Sequence, residues 1–326
     1  MKPLVSIVLL NWNGDKHVHR CLEHVRKQTY PSIEVIVVDN GSSDESLSKI
    51  KANYPSYTYI ENGTNRGFAP GMNQGIEASK GDFVIPLNQD VCMHERFVEE
   101  CVSRAAEDER IGAIGGRVYR WIGNELTDIL RSGEGELSVV RKRFQGDCGN
   151  YSEHEKWTWA PAGSFPFFRK KMLDDLRAVS GDYYDEMFVT GWEDTDLFFR
   201  MHLRGWKCLF FPKAFGWHVG SGSVGGNDKF FTKQLDYQVR ILRNRYFVLA
   251  KDIPTPTLRF IAPYVLITEI GLIPMFLLRS PKSIVALTRA WKAVLDSWPE
   301  LMHKRAKIIG SMSVPPTYLN QFFERF

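Results

Sequence analysis

The sequence predicts an α/β fold built on a mostly parallel sheet, and three observations carry that expectation. Short, almost uninterrupted apolar runs recur at 4–10, 33–38 and 83–87, as strands buried on both faces require. Segments with helical spacing of apolar residues separate them, which joins the strands as βαβ units. Each run ends in polar side chains: Asn11, Asp39, and the triplet Asn88-Gln89-Asp90. Ligands of parallel sheets sit beyond the carboxyl ends of the strands. Any one of these residues makes a sound turn without a ligand, but three strand ends in succession point to a binding edge.

Taken in order, the first strand (4–10) is broken by Asn11-Trp12-Asn13-Gly14. This turn is too bulky for close pyrophosphate approach and GxGxxG is absent, so a nicotinamide or flavin enzyme is disfavoured. A helix over 16–28 stops at Tyr30-Pro31. The second strand, 33–38, reaches Asp39, and Ser43-Asp44-Glu45-Ser46 offers helix-starting side chains for 47–52. A short third strand covers 57–60. A Gly- and Asn-rich turn opens a helix over 68–79, and the fourth strand, 83–87, exits through Asn88.

Past residue 110 the pattern changes. A strand is expected over 111–119, then loops or a hairpin over 123–156. One strand with a small-residue centre is expected over 157–168, where Gly163 suggests close approach by a ligand or backbone. A helix over 169–177 leads to Gly191-Trp192-Glu193-Asp194-Thr195-Asp196 and a helix over 194–204. Carboxylates at a helix start are favoured by its partial positive charge; Glu193, Asp194 and Asp196 are therefore either a good first turn or the acids of a site. A last strand, 206–212, is followed by His218 and a glycine–serine segment at 220–226.

Composition sets the outer limits. With 44% hydrophobic and 25% charged residues over 326 positions, the chain is an ordinary globular protein with room for more than one domain. The division expected is 1–226, with halves 1–110 and 111–226, and a helical region 227–326. That last region holds 15 lysines and arginines against 7 acids, so it carries +8 and the rest −4 of the net +4. An anionic neighbour suits such a tail, but no basic helix or aromatic RNA-reading signature favours nucleic acid. Five scattered cysteines without CxxC indicate neither a zinc site nor a disulfide framework. With no signal-peptide pattern at the first residues, a cytoplasmic location is expected. Within the tail, helices are expected over 229–251 and 282–297. The apolar stretch 259–278 contains Glu269, Pro263 and Pro274, which argues against a membrane span. An interfacial helix making a peripheral membrane contact through 252–326, plain core, and a homo-oligomer interface all stay open.

The motifs Val37-Val38-Asp39-Asn40-Gly41-Ser42, Asn65-Arg66-Gly67-Phe68-Ala69, Leu87-Asn88-Gln89-Asp90 and Trp192-Glu193-Asp194-Thr195-Asp196, with the opening 3–13, resemble family 2 glycosyltransferases in the expected order. The likeness covers about 3–250 and is nearest to bacterial rhamnosyltransferase-like members that build surface polysaccharide. It implies the GT-A fold, a nucleotide-binding half joined to an acceptor half, and sugar transfer from a dTDP- or UDP-sugar, rhamnose first, to a hydroxyl of a glycan or lipid-linked glycan.

By the same likeness Asp39 accepts from the pyrimidine ring N–H, with Asn11, Arg66 and Asn73 completing the nucleotide site. Asp90, with His218, holds Mg²⁺ or Mn²⁺. Asn88 departs from the family's DxD-like pattern and leaves one fewer charge on the metal. Asp194 is the expected base, with Glu193 orienting it or holding acceptor hydroxyls, and a single displacement inverts the anomeric carbon. Trp159 and Trp192 either stack on the acceptor sugar or belong to the core. The competing readings are a nucleotide-sugar-binding protein of this fold without turnover and a sugar nucleotidyltransferase. The latter wants a Gly-rich phosphate loop with a basic residue, which Trp12-Asn13-Gly14-Asp15 does not supply.

Overall fold

A computed structural model describes residues 2–132, 134–135, 152–161, 165–220 and 230–323. The first half is β1 (Val5–Asn11), α1 (Val18–Arg26), β2 (Ile33–Asp39), α2 (Ser46–Asn53), β3 (Thr58–Glu61), α3 (Phe68–Ala78), β4 (Phe83–Asn88), β5 (Val91–Met93) and α4 (Phe97–Glu107). Next come β6 (Ile111–Ile122), β7 (Glu125–Ser132), β8 (Glu134–Gly135), β9 (Lys156–Thr158), β10 (Ala160–Pro161), β11 (Phe167–Arg169), α5 (Lys170–Ser180), α6 (Glu193–Leu203) and β12 (Lys207–His218). Four helices finish the chain: α7 (Leu235–Lys251), α8 (Thr255–Arg279), α9 (Ile284–Asp296) and α10 (Trp298–Gly310).

The main sheet runs β3-β2-β1-β4-β11-β6-β12-β5, with β7 on β6 and β9 on β12. β1 is parallel to β2 and β4, and β2 to β3. The register pairs Asn11 with Asp39, which puts both polar strand ends side by side. β11 is antiparallel to both β4 and β6, and β12 is parallel to β6. The end of β12 therefore lies at the same edge as the ends of β1, β2 and β4. Helix α3 lies directly on the sheet because residue 75 is glycine: a Cβ there would stand 2.2 Å from the Val8 side chain.

Several expectations change. The single strand over 157–168 is β9, β10 and β11, each with a different partner; Pro161 and Pro166 remove ladder donors within it. The hairpin expected after residue 123 is β6 with β7, while residues 136–151 lie outside the described residues. Most of the glycine–serine segment, from 221 on, also lies outside them. β12 runs on to His218, with its register shifting between Phe210 and Phe215, around Pro212. α8 is one helix of 25 residues despite Pro263 and Pro274, both of which are exposed.

One apolar cluster crosses residue 227. Leu197, Phe198, Phe199 and Met201 of α6 share it with Phe247, Val248, Ile253, Ile261, Leu301 and Ile308 of the helical region. A buried ionic network ties the same elements. Lys251 of α7 pairs with Asp185 and Asp196; Arg200 Nη2 lies 2.6 Å from Asp196 Oδ2; Lys304 of α10 lies 2.6 Å from Asp185. Burial alone would favour neutral Lys251, but the surrounding carboxylates hold its proton more firmly than in water. Asp252 is fully buried and neither carboxylate oxygen has a hydrogen-bond partner. Burial pushes its pKa well up, against the pull of the Lys251 ammonium 3.7 Å away.

Candidate active site

The edge begins with a knot between β1 and β2. The Asn11 amide, fully buried, donates to Asp39 Oδ1 (2.8 Å), Ser42 Oγ (3.0 Å) and Ser46 Oγ (2.9 Å). Asp39 Oδ1 also accepts from Ser42 Oγ (2.6 Å), and its Oδ2 accepts from the backbone N–H of Gly41 and Ser42. Asn11 thus stands behind Asp39 and orients it. Asn40, not singled out from the sequence, is the next link. Its amide donates to Gly67 O (2.9 Å) and Asn65 Oδ1 (3.2 Å), fixing the segment that presents Arg66, an exposed side chain, at this edge.

Asn73 is engaged elsewhere than expected. Its Oδ1 accepts from Tyr184 N (2.9 Å) and its Nδ2 donates to Tyr184 O (2.8 Å) and Glu186 Oε1 (3.1 Å). In this way it braces the chain ahead of α6. Trp159 lies in the core, one of its two expected places. It is 1% exposed, stacked on His202 and packed against Phe199 and Phe322, so its faces are core and cannot meet a sugar. Trp192 is buried but stands next to the acids.

Asp90 and His218 do come together. His218 Nε2 lies 3.2 Å from Asp90 Oδ2, and β5 pairs with β12 so that His218 faces Val91. Burial would raise the Asp90 pKa, but the His218 contact outweighs it and holds the carboxylate below its usual range. One oxygen and one imidazole nitrogen suit a divalent cation whose remaining ligands come from elsewhere. Among the described residues no group of three or more His, Cys, Asp or Glu could hold a metal by itself.

The acids of α6 follow a strained approach. Val189 (φ 61°), Gly191 (φ 85°) and Trp192 (φ 75°) all have positive φ. Val189 is the centre of a tight turn closed by Thr190 N–H donating to Phe188 O (2.7 Å). Such conformations cost about 1–3 kcal/mol each for residues other than glycine and persist only when their surroundings enforce them. On one side Ala69 N–H donates to Val189 O (3.0 Å) and Phe68 N–H to Thr190 Oγ1 (3.1 Å). Glycine is required at 67, which has φ 93° and where a Cβ would stand 2.5 Å from Val189. Since Gly67 follows Arg66, this contact brings the start of α6 to the strand-end edge.

Glu193 is buried, its Oε2 has no hydrogen-bond partner, and burial together with the adjacent Asp194 charge pushes its pKa up to about 8. Asp194 is half-buried, and its Oδ1 accepts from Thr195 N (2.7 Å). The pair is split in environment: Glu193, the more deeply buried, favours its protonated form, while Asp194 is only half-buried, an arrangement of the kind that separates an acid from a base. Asp196 has no such role, being locked to Arg200 and Lys251.

The sequence profile described as "Glycosyl transferase family 2" matches residues 6–176, more than half of the chain. The chain belongs to glycosyl transferase family 2. Among curated relatives, poly-β-1,6-N-acetyl-D-glucosamine synthase of Staphylococcus aureus (strain COL) is 26% identical over 226 residues, 68% of this chain and 51% of that protein. The Staphylococcus epidermidis synthase is 25% identical over 270 residues, 81% of this chain and 60% of that protein. The chain thus spans little more than half the length of these relatives.

Among solved structures, S. aureus TarS 1–349 in complex with UDP superposes with a TM-score of 0.59 at 18% identity, covering 99% of this chain and 93% of that one. Mannosyltransferase PcManGT of Pyrobaculum calidifontis, in complex with GDP-Man and Mn²⁺, gives 0.55 at 17% identity, covering 95% and 86%. These likenesses show the fold, and the GT-A architecture implied by the motifs is the one observed. The profile stops short of α6, so in this glycosyltransferase the acids of 193–194 rest on the motif and the geometry above.

The split pair has a measurable consequence. Unfolded Glu193 releases its proton near the ordinary 4.5, whereas the folded group holds it to about 8. Between these values the unfolded state binds fewer protons, so this group makes stability fall as pH rises. Glu193→Gln removes that titration. Thermal melts should show Glu193→Gln gaining stability relative to the parent steadily from about pH 5 to about pH 8; a gap that does not change with pH contradicts a protonated Glu193.

Proposed function

We propose that this family 2 glycosyltransferase moves a sugar from a dTDP- or UDP-sugar to a hydroxyl of a glycan or lipid-linked glycan in surface polysaccharide synthesis, with inversion and with Asp194 as general base. The observation that carries the reading is the split acid pair at the start of α6, held by the Gly67–Val189 contact at the edge that also bears Asp39, Arg66, Asp90 and His218. An acceptor hydroxyl must lose its proton as it attacks, and an ionised carboxylate within hydrogen-bond reach takes it. Glu193, protonated, has a donor to offer an acceptor oxygen and adds no second negative charge beside the base. With Asp194 as base and the acceptor hydroxyl as nucleophile, the transfer is a single displacement. Asp39 and Asn11 form the pyrimidine end of the donor site, and Arg66 is placed for the phosphates.

Asp90 and His218 fit Mg²⁺ or Mn²⁺ held jointly with donor phosphate oxygens and water; when bound, such an ion neutralises charge growing on the departing diphosphate. Rhamnose is the first sugar to screen. The curated relatives, synthases of an N-acetylglucosamine polymer by name, add N-acetylglucosamine donors to that screen.

Asp194→Asn tests the reading. UDP should bind as tightly as to the parent, while release of nucleoside diphosphate from dTDP-rhamnose or a UDP-hexose falls by about 10²–10⁴-fold, the usual worth of a positioned base. Transfer at the parent rate removes Asp194 from the role. In the same assay a chelator should abolish turnover and Mn²⁺ restore it; full activity in chelator removes Asp90 and His218 from metal binding.

The acceptor proposal rests on α8. It is the one helix among the described residues long and apolar enough to cross a membrane. From Phe260 to Leu278 its only charge is Glu269, which is turned inward onto Arg245 and Tyr246 of α7. Phe260, Leu266, Ile267, Ile270, Ile273, Leu277 and Leu278 are left exposed. A helix packed on one side and apolar on the other suits the interface of a bilayer. Exposed Arg289 and Lys292 beside exposed Trp291, in a region carrying +8, favour an anionic one. The full chain should co-sediment with phosphatidylglycerol-containing vesicles and lose that association in an Ile267→Glu/Ile270→Glu variant. No binding of the parent, or loss of a dimer in place of vesicle binding, contradicts the membrane contact.

A further inference from the structure

The strained segment that delivers Glu193 and Asp194 is gripped from its far side by α7, an element outside the matched family profile. Asn244 is fully buried. Its side-chain amide donates to three carbonyls of that segment: Phe188 O (2.9 Å), Thr190 O (3.3 Å) and Gly191 O (2.6 Å). Arg243 fixes which way the amide faces. Its Nε and Nη2 donate to Asn244 Oδ1 (3.0 and 2.8 Å), and Nη2 also donates to Met187 O (2.9 Å). With the oxygen committed to the guanidinium, only the NH₂ end meets the loop.

We infer that Asn244, oriented by Arg243, is the positioning residue of the reaction proposed above: its amide holds residues 188–191 in their strained turn and so sets where the Asp194 carboxylate stands. The inference rests on the Asp194 assignment. Three features favour this over ordinary packing. The acceptors, the carbonyls of 188, 190 and 191, flank the residues whose φ values are positive at 189, 191 and 192. Asparagine is a poor helix former, yet it is a buried residue of α7, three and four positions before buried Phe247 and Val248. Its bonds add to those from Phe68 and Ala69, so the turn is held by two separate elements, α3 and α7. Asn244 touches no reacting atom; it acts through the backbone of the loop.

The decisive variant is Asn244→Asp, which keeps shape but puts an acceptor oxygen where the donor faces carbonyls. It is compared with Asn244→Ala, with Arg243→Met, which leaves the amide unoriented, and with Asp194→Asn as reference. UDP binding by calorimetry and initial rates of nucleoside diphosphate release are measured on protein that melts cooperatively. Asn244→Asp and Asn244→Ala should lower kcat about 100-fold, the order expected from a displacement of about 1 Å at the base. KM for the donor and UDP affinity should stay within about threefold. Arg243→Met should lose about tenfold in kcat with the same split. Parent kcat in folded Asn244→Asp, or a loss seen in KM alone, overturns the inference while inactive Asp194→Asn leaves the base assignment standing. Should Asn244→Asp fail to fold, parent kcat in Arg243→Met overturns it instead. Parent turnover in Asp194→Asn removes the base assignment and this inference with it.

Discussion

Lys251 is the point on which the lower half of the molecule turns. It comes from α7, is 1% exposed, and places its ammonium between Asp185, ahead of the strained loop, and Asp196, in the first turn of α6. Removing such groups from water costs several kcal/mol per ion, and their mutual attraction offsets this only with good geometry and satisfied hydrogen bonds. Arg200 and Lys304 supply those, closing on the same two carboxylates, while burial raises the pKa of neighbouring Asp252. The network is therefore weak evidence of net stability; what it does is join α6 to α7 and, through Asp185, to α10. Glu193 and Asp194 stand at the end of α6 that meets the sheet edge.

The edge itself is made by two kinds of constraint. Parallel pairing of β1, β2 and β4 aligns Asn11, Asp39 and Asn88, and side chains such as Asn40 and Gln89 knit their exit loops together. Gln89 bonds Trp12 in both directions, through its Oε1 to the N–H and its Nε2 to the carbonyl. The α6 side instead depends on backbone strain maintained by its neighbours. The two halves meet at Gly67, where a Cβ would run into Val189.

How much of this was legible in the sequence follows from the range of each interaction. Strand ends and helix starts are local, so the βαβ half and the acidic first turn of α6 could be read from apolar periodicity. The approach of His218 to Asp90 could not, since nothing in spacing joins residues that far apart; the family likeness supplied it. The places of Asn73 and Trp159 are not legible either, because a polar or aromatic residue near a motif looks the same whether it faces a ligand, braces a loop or fills the core. Asn244 and Lys251 passed unnoticed inside a helical pattern. The signal was a poor helix former and a lysine at positions that apolar neighbours mark as buried.

Lys251 is what joins the C-terminal helices to α6 as one cooperative unit. Lys251→Met tests this most directly, by denaturant unfolding combined with native-state hydrogen exchange. Losing the cation leaves Asp185 and Asp196 short of their buried partner, so stability should fall by about 3–5 kcal/mol. Exchange should quicken across 185–200 together with 247–253. Unchanged protection of 185–200 in the variant, with stability within about 0.5 kcal/mol of the parent, would contradict the account.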